Sequence, residues 1–269
     1  MNVLEGKPVA NKIKEELKSQ LSTLNYQLKL AIVLVGEDPA SVIYTDRKKK
    51  FGEEIGVEVE IVKLDPNISE EELAVQIKRL NDDPTATGII IQLPLPSSFH
   101  AGKFLDLVDP HKDVDGLNST NQASNEPQFY PAGALAVMEI LQFYDIDPAG
   151  KKIAVIGQSD LAGKPIAKLL KKVGARVEVA DINTTDTNEI TIDSDIVISA
   201  VGKPGLIQGD HVREGVVLID VGTTLVGDKL KGDIDQSAID KSSAYTPVPG
   251  GVGPVTVACL FKNLLAGSS

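Results

Sequence analysis

The stretch DPASVIYTDRKKKFGEEIG, residues 38–56, holds the side chains best suited to chemistry. Asp38 followed by Pro39 predicts a helix N-cap with proline at the first helical position. Lys48 lies one turn beyond Tyr44, inside an apolar stripe that predicts a buried helix face. The stripe consists of Ala40, Tyr44, Phe51 and Ile55. A lysine in such a stripe either extends its amine to water or keeps it partly desolvated, with a pKa lowered toward neutrality. The pattern alone leaves both arrangements open, and the solvated lysine is the commoner one.

Composition narrows the class of protein. The chain has 269 residues and a formal net charge of −11, which argues against a nucleic-acid binder because duplex binding needs a basic surface. The run of cations at residues 47–50 is a local exception that could attract a small anion. Cys259 is the only cysteine, so no internal disulfide or cysteine metal cluster is expected. With no apolar run of membrane-spanning length and no signal-peptide layout at the N-terminus, we expect a cytoplasmic protein without a membrane partner.

The first half of the chain alternates strand and helix patterns, which predicts a mainly parallel sheet in an α/β fold. Continuous apolar runs predict strands buried on both faces. The predicted strands are 28–36, 57–64 and 87–96. The predicted helices are 8–22, the helix that follows Asp38, and a third helix that ends at about Asn81. A capping box of Ser69 and Glu72 predicts the start of the third helix.

A second alternation follows a polar stretch, residues 118–128, where we place the domain boundary. Its order of strands and helices is typical of dinucleotide-binding domains. The predicted helices are 133–143, 162–173 and a last amphipathic helix through Val257, Leu260, Leu264 and Leu265, after a loop at 245–256, and the predicted strands are 151–157, 176–181, 195–202 and 216–222.

The segment VIGQSDLAGKP, residues 155–165, joins a strand to a helix, as a phosphate-binding turn requires. Gly157 would allow the tight turn, Ser159 offers a hydroxyl and Gly163 permits close approach to a pyrophosphate at the helix N-terminus. The segment is not G-x-G-x-x-G, and an ordinary strand-to-helix turn is the alternative. Asp181 ends the next strand, where an acid can accept hydrogen bonds from ribose hydroxyls and repel a 2′-phosphate; a capping acid is the alternative there.

Two further patterns could form sites. Asp113 and Asp115 form a DVDG turn, which is a weak metal signal, and the three histidines are scattered, so we predict no metal site. The nine residues TPVPGGVGP (246–254) contain three prolines and three glycines. Prolines stiffen such a segment and glycines let a ligand approach the backbone, so this composition favours a functional loop over a plain connector.

These motifs together resemble the bifunctional 5,10-methylenetetrahydrofolate dehydrogenase/5,10-methenyltetrahydrofolate cyclohydrolase family. They occur in the family's order and cover nearly the whole chain. The matching stretches are VGEDPASVIYTDRKKKFGEEIGV (35–57), GIIIQLPLP (88–96), DPHKDVDGLN (109–118), VIGQSDLAGKP (155–165), AVGKPG (200–205), IDVG (219–222) and TPVPGGVGPVT (246–256).

The resemblance implies a role for each site residue. Lys48 would be the catalytic lysine, Gln92 the glutamine that tunes it, Tyr44 a stacking side chain and Asp115 the carboxylate that holds the pterin. The proline-glycine loop would wall the folate site through Pro249, Gly250, Gly251 and Pro254. The residues implied in binding the cofactor, NADP or NAD, are Gly157, Gln158, Ser159, Gly163, Asp181, Ile182, Gly202 and Thr223.

The resemblance also implies an architecture and partners. Residues 1–120 with 254–269 would form the folate-binding domain, because the family's last helix packs back on it, and residues 121–253 the Rossmann-like domain, with a folate cleft between them. The implied partners are tetrahydrofolate derivatives, with or without a polyglutamate tail, and a second copy of the chain in a homodimer.

Departures from the family pattern bear on the cofactor. The family often has arginine after the first glycine of the dinucleotide turn, as a clamp for the 2′-phosphate of NADP, where this chain has Gln158. A cation or polar group often follows the next strand, where this chain has Asp181 and Ile182. A lost charge-assisted contact is worth roughly 1.5–3 kcal/mol, so we predict that NAD is used at least as well as NADP. Gln128–Pro131 replaces the family's Pro-Cys-Thr-Pro segment, and Ala123 replaces a glycine.

The sequence therefore predicts a two-domain enzyme of folate one-carbon metabolism, which oxidises 5,10-methylenetetrahydrofolate and hydrolyses the product to 10-formyltetrahydrofolate. Three alternatives stay open at this point. They are an enzyme that keeps only one of the two activities, a non-catalytic folate-binding module, and a Rossmann dehydrogenase for an unrelated acid.

Overall fold

The computed structural model describes residues 1–181, 184, 187–227 and 229–268. The chain divides into two compact units, each built from separate stretches of sequence. The three-stranded unit, named after its sheet, comprises Lys12–Ala132 and Val257–Ser269, and the six-stranded unit comprises Met1–Asn11 and Gly133–Thr256. Among the described residues, no helix combines the length and the apolar character needed to cross a bilayer.

The elements follow one another along the chain as strands and helices of modest length. The strands are β1 (Asn2–Val3), β2 (Lys29–Val35), β3 (Glu58–Leu64), β4 (Gly88–Ile91), β5 (Lys152–Ile156), β6 (Arg176–Ala180), β7 (Ile196–Ser199), β8 (Val217–Asp220), β9 (Thr224–Val226), β10 (Lys229–Lys231) and β11 (Ala244–Tyr245). The helices are α1 (Gly6–Leu21), α2 (Pro39–Ile55), α3 (Glu70–Asp82), α4 (Ala101–Leu105), α5 (Ser119–Ala123), α6 (Ala132–Phe143), α7 (Gly163–Lys172), α8 (Asn188–Thr191), α9 (Gln236–Ile239) and α10 (Val252–Ala266).

The three-stranded sheet is parallel throughout, in the order β3-β2-β4. The central strand β2 is buried from Leu30 to Val35, which its continuous apolar run predicted. Strand β4 is shorter than the predicted 87–96, since it ends at Ile91. Gln92 still donates its backbone N–H to the Val33 carbonyl (2.9 Å), but the two prolines that follow have no N–H to continue the pairing.

The buried face of α2 is rotated by about one residue from the predicted stripe. Its fully buried positions are Ser41, Thr45, Lys48, Gly52 and Ile55. The larger apolar side chains predicted to centre the face lie at its margin, half-buried. Small residues occupy the centre because the helix packs closely there, and the lysine remains inside the buried face.

Both predicted helix starts are confirmed in their capping contacts. The Asp38 carboxylate accepts the backbone N–H of Ser41 (2.8 Å) at the start of α2. At α3, the Ser69 hydroxyl accepts the N–H of Glu72 (3.1 Å), and the Glu72 carboxylate accepts the N–H of Ser69 (2.9 Å). Each contact satisfies an N–H group that the helix itself leaves unpaired.

The six-stranded sheet has the order β1-β11-β8-β7-β5-β6, and every pair in it is parallel. The chain runs outward from β5 to β6 and then returns to β7 on the other side of β5. The point where this order reverses, between β5 and β7, is where open parallel sheets bind ligands. The predicted parallel α/β architecture is confirmed, whereas the short strands β1 and β11 and the hairpin of β9 and β10 were not predicted.

Helix α10 differs from the predicted loop and amphipathic helix. It begins at Val252, so residues 252–256, predicted as loop, form its first turn; Pro254 is tolerated there because first-turn N–H groups need no helical partner. The helix is buried on nearly all sides rather than along one stripe. Its Phe261 ring stacks on Phe51 of α2 at 5.2 Å between centroids, so this part of the helix packs within the three-stranded unit.

The unit boundaries differ from the predicted break after residue 120. Residues 121–132 belong to the three-stranded unit, where the side-chain amide of Asn263 donates to the Tyr130 carbonyl (2.9 Å). Residues 1–11 belong to the six-stranded unit, because β1 pairs with β11.

Gly52 gives a stability prediction in which packing opposes helix propensity. Glycine inside a helix normally costs about 0.5–1 kcal/mol relative to alanine. A β-carbon at Gly52, however, would lie 2.4 Å from Cγ2 of Val59 and 3.1 Å from the Phe261 ring. We expect Gly52→Ala to lower the free energy of unfolding by about 1 kcal/mol, measured by urea denaturation.

The matched control is Gly102→Ala, a helical glycine whose added β-carbon would meet nothing within 4 Å. That variant should be neutral or more stable. Equal losses of stability in the two variants, or a larger loss in Gly102→Ala, would contradict the packing argument.

Candidate active site

The Lys48 side chain ends inside the three-stranded unit. It is 9% exposed, and its Nζ donates a hydrogen bond to Oε1 of Gln92 (2.9 Å). Burial lowers the pKa of the Lys48 amine, and the negative charge of Asp115 raises it in part. Of the two arrangements that the sequence left open, the structure therefore shows the desolvated amine.

Gln92 is held in one orientation at the end of β4. Its backbone N–H continues the sheet, and its side-chain Nε2 donates to the Leu93 carbonyl (2.6 Å). The amide nitrogen is thus occupied, which directs Oε1 to the lysine. The two residues, 44 positions apart in the chain, meet because α2 and β4 belong to the same unit.

Asp115 lies in a turn built by its neighbour Asp113. The Asp113 carboxylate accepts the backbone N–H of Asn118 (2.8 Å) and the side-chain amide of Asn121 (3.0 Å). Burial raises the pKa of Asp113 to about 6, although these hydrogen bonds oppose the rise. Asp113 thus has a structural role in the turn, and Asp115 is left to face the lysine.

Asp115 and Lys48 each shift the pKa of the other. Burial raises the pKa of the Asp115 carboxyl, and the Lys48 charge lowers it in part. Burial therefore favours the neutral form of each group, whereas their mutual attraction favours the charged forms. The Lys48 amine therefore gives up its proton more readily than a solvent-exposed lysine does.

Asn263 on α10 helps to hold the Asp115 turn, and sequence reasoning missed it. Its Nδ2 donates to the carbonyls of Val114 and Tyr130, both at 2.9 Å, on either side of the Asp115 turn. The Asp115 carbonyl in turn accepts the N–H of Ala132 (3.2 Å). Its signal in the sequence was a polar amide next to Lys262 in a mostly apolar helix.

Tyr44 is half-buried, one helical turn before Lys48. The Arg47 guanidinium lies over its ring, 5.7 Å from the centroid. The four catalytic residues predicted from the sequence therefore belong to the three-stranded unit: Tyr44 and Lys48 on α2, Gln92 beyond β4, and Asp115 in its turn.

The proline-glycine loop belongs to the six-stranded unit, with Pro249 and Gly250 exposed. Gly6 donates its N–H to the Gly250 carbonyl (2.8 Å), and a β-carbon on Gly6 would lie 1.8 Å from the Gly251 oxygen. Pro254 lies in the first turn of α10 rather than in the loop.

The turn after β5 fits a nicotinamide dinucleotide. Gly157 has a φ of +99°, and a β-carbon there would lie 2.5 Å from the Ala200 carbonyl. A β-carbon on Gly163 would lie 1.7 Å from the Gly157 oxygen. No side chain caps the N-terminus of α7 at Ala162, so its dipole can meet a pyrophosphate.

The polar residues of this turn are oriented as follows. Gln158 donates its Nε2 to the Gly157 carbonyl (2.8 Å), and the Ser159 side chain is exposed. Asp181 is exposed just beyond β6, where its backbone N–H donates to the Thr184 hydroxyl (2.9 Å). Ile182 lies outside the described residues.

The last two predicted cofactor residues lie after β7 and β8. Gly202 has a φ of +77°, and its carbonyl accepts the hydroxyl of Thr224 (2.7 Å). Thr223 is exposed directly before β9. The structure thus assigns a contact to Thr224, which the sequence did not single out.

Two carboxylates in the six-stranded unit, Asp220 and Asp233, were also missed. Burial raises the pKa of Asp220 to about 7, and backbone N–H groups that donate to the carboxylate oppose the rise. Asp233 is fully buried beside it. Within the described ranges, no three His, Cys, Asp or Glu side chains group as a metal site would require.

Comparison with known proteins identifies the family. The tetrahydrofolate dehydrogenase/cyclohydrolase catalytic domain matches residues 4–115, and the NAD(P)-binding domain of the same family matches residues 131–269. The chain is 41% identical to the bifunctional protein FolD of Staphylococcus haemolyticus, over 98% of this chain and 95% of that one.

Two solved structures have the same fold over nearly their whole length. The bifunctional enzyme FolD of Campylobacter jejuni is 39% identical with a TM-score of 0.93, covering 100% of this chain and 98% of that one. The Trypanosoma brucei enzyme, complexed with NADP and an inhibitor, is 35% identical with a TM-score of 0.94, covering 98% and 96%. The chain therefore belongs to the tetrahydrofolate dehydrogenase/cyclohydrolase family and is an enzyme of folate one-carbon metabolism, which oxidises 5,10-methylenetetrahydrofolate with a nicotinamide cofactor and hydrolyses the 5,10-methenyl product to 10-formyltetrahydrofolate.

Proposed function

We propose that Lys48 is the proton carrier of the hydrolysis step, oriented by Gln92 and tuned by Asp115. The 2.9 Å hydrogen bond between the buried amine and the Gln92 amide oxygen is the observation that carries this proposal. Tyr44 stacks on the pterin, and Asp115 holds its polar edge. A module that only bound folate would have no need of a desolvated amine, because general acid-base groups serve chemistry rather than affinity.

In the hydrolysis, water attacks the methenyl carbon that bridges two nitrogens. The neutral Lys48 amine takes the proton that the attacking water loses. The resulting ammonium then protonates the nitrogen whose bond to the carbon breaks, and the hydroxyl proton leaves as the formyl group forms. Overall one water is consumed and one proton released, and Lys48 returns to its starting state.

The oxidation step needs positioning more than proton transfer. The nitrogen lone pairs of the substrate stabilise the cation left when hydride departs, so the enzyme's task is to align the reacting atoms. Nicotinamide, when bound, accepts the hydride. Gly157, Gly163 and the N-terminus of α7 would hold the dinucleotide, and Gly202 and Thr223 would lie along it. We retain Pro249, Gly250, Gly251 and Pro254 as proposed folate contacts.

The two activities are tested with purified enzyme by following the product spectrum from methylenetetrahydrofolate. Formation of the methenyl intermediate, followed by its loss to 10-formyltetrahydrofolate, supports the assignment. Accumulation of the methenyl compound without decay above the uncatalysed rate would indicate a dehydrogenase alone. Hydrolysis without methenyl formation from either cofactor would indicate a cyclohydrolase alone.

We propose that this enzyme uses NAD at least as well as NADP. The Gln158 amide nitrogen is engaged with its own turn, and Asp181 presents an exposed carboxylate beyond β6, where a 2′-phosphate would be repelled. We expect kcat/KM with NAD to equal or exceed that with NADP. Gln158→Arg should move the ratio toward NADP, because arginine adds a charge-assisted contact.

A kcat/KM with NADP well above that with NAD would contradict this preference.

We also propose that the enzyme is a cytoplasmic homodimer. The homodimer rests on the family resemblance, and the compartment rests on the single buried cysteine, Cys259. Light scattering on the protein as it elutes from a size-exclusion column measures its molar mass, which should be that of two chains.

A further inference from the structure

The loop that follows β7 lies at the ligand-binding edge of the six-stranded sheet. Residues 200–205 leave the carboxyl end of β7, beside the point where the strand order reverses. Ala200 directly contacts the dinucleotide turn, since a β-carbon on Gly157 would lie 2.5 Å from its carbonyl oxygen. The shape of this loop therefore affects the surface that a bound dinucleotide would contact.

One fully buried carboxylate, that of Asp233, holds the loop from inside. Its Oδ2 accepts the Ser199 hydroxyl (2.8 Å) and the backbone N–H groups of Val201 (2.8 Å) and Gly202 (3.2 Å). Its Oδ1 accepts the N–H of Lys203 (2.7 Å). Three consecutive amides are thus turned inward, and the loop conformation depends on one side chain.

Asp233 is itself fixed by Asp220 at the end of β8. The Asp220 carboxylate accepts the backbone N–H groups of Asp233 (3.1 Å) and Ile234 (3.0 Å). The backbone N–H of Asp220 donates to the Thr246 hydroxyl (2.7 Å). A β-carbon on Gly222 would lie 2.2 Å from the Asp233 carboxyl group, so that group packs closely against Gly222.

We propose that Asp233 is a positioning residue for the nicotinamide dinucleotide, because it holds Val201–Lys203 in the conformation that receives it. The proposal rests on the assignment of the dinucleotide site to Gly157 and Gly202. A loop ordered before binding spares the ligand the entropic cost of ordering it. The Asp233 side chain is buried and acts through the loop rather than by touching the cofactor.

The test is Asp233→Asn, which keeps the shape but replaces one acceptor oxygen by an NH2 group that would face other N–H donors. We expect KM for the preferred dinucleotide to rise roughly tenfold with kcat at saturation little changed, and Kd from calorimetric titration with NAD+ and with NADP+ to rise similarly. Hydrolysis of preformed methenyltetrahydrofolate, which needs no dinucleotide, should continue at the wild-type rate.

The matched control is Asp195→Asn. Asp195 lies at the amino-terminal ends of the strands of the same sheet, where its carboxylate accepts the N–H of Lys152 (2.9 Å) at the start of β5. That variant should leave dinucleotide affinity unchanged. Unchanged Kd in Asp233→Asn, or equal losses of dinucleotide binding and hydrolysis, would overturn the proposal. If Asp233→Asn does not fold, Ser199→Ala removes one donor to the same carboxylate, and a Kd within error of wild type would overturn the proposal.

Failure of the inference is distinguishable from failure of the proposed function. If the wild-type enzyme neither oxidises methylenetetrahydrofolate nor binds either dinucleotide, the assigned function fails first. If the wild type does both and Asp233→Asn matches it, only the inference fails.

Discussion

Replacing Lys48 by methionine is expected to reduce cyclohydrolase turnover by a factor of about 10²–10⁴, the usual contribution of a positioned acid-base group. Methionine preserves most of the side-chain volume inside the three-stranded unit but cannot carry a proton. Folate affinity should change little, because the pterin contacts assigned to Tyr44 and Asp115 remain. The rate is measured as the loss of methenyltetrahydrofolate absorbance, after subtraction of the uncatalysed rate.

The dehydrogenase activity of the same variant separates catalysis from folding. Hydride departure needs alignment rather than a proton carrier, so this activity should fall far less than the hydrolysis. Lys49→Met is the matched control, since Lys49 is the next residue of α2 and is exposed. Both activities should survive in that control. Near-normal cyclohydrolase turnover in Lys48→Met would contradict the assignment of Lys48 as the proton carrier.

The sequence predicted the regular elements well because their signals are local. The buried strand β2 follows from one apolar run, and the start of α3 from one capping box of Ser69 and Glu72. The two parallel sheets follow from the alternation of strands and helices. None of these predictions required knowledge of distant contacts.

The predictions that failed depended on tertiary packing. Helix periodicity placed Tyr44 and Phe51 at the centre of the buried face of α2, but close packing reserves the centre for small residues such as Gly52. Likewise α10 was predicted to be amphipathic, but it is buried on nearly all sides, and from Val257 onward it belongs to the three-stranded unit. A pattern of apolar residues predicts that a face is buried, but it does not report how closely the partner approaches.

For the site, the sequence alone left the state of Lys48 open, and only the family resemblance connected it with Gln92. The structure supplies the physical reason, a 2.9 Å hydrogen bond between residues of two different elements. Asn263 and Asp233 were missed because each acts through backbone groups far away in the chain. Buried polar side chains that organise loops have no spacing rule, so they become visible only with coordinates.

Asp115→Asn is expected to shift the acidic limb of the cyclohydrolase pH profile to lower pH. The carboxylate charge raises the pKa of Lys48, opposing the larger effect of burial. Removing that charge must therefore lower the pKa of the amine further. Because the neutral amine accepts the proton from water, activity should persist to lower pH than in the wild type.

The same variant should raise KM for the folate substrate by roughly 10- to 100-fold, because a charge-assisted hydrogen bond is worth roughly 1.5–3 kcal/mol. Asp106→Asn serves as the control, since Asp106 is an exposed acid earlier in the same segment whose carboxylate accepts the N–H of Ser119 (2.8 Å). Its pH profile and KM should match the wild type.

An acidic limb that stays in place, or moves to higher pH, in Asp115→Asn would show that the Asp115 charge does not raise the pKa of Lys48. The proposed electrostatic coupling of the pair would then be wrong. A shift in the expected direction together with a raised KM would place both roles, substrate binding and tuning of the amine, on one side chain.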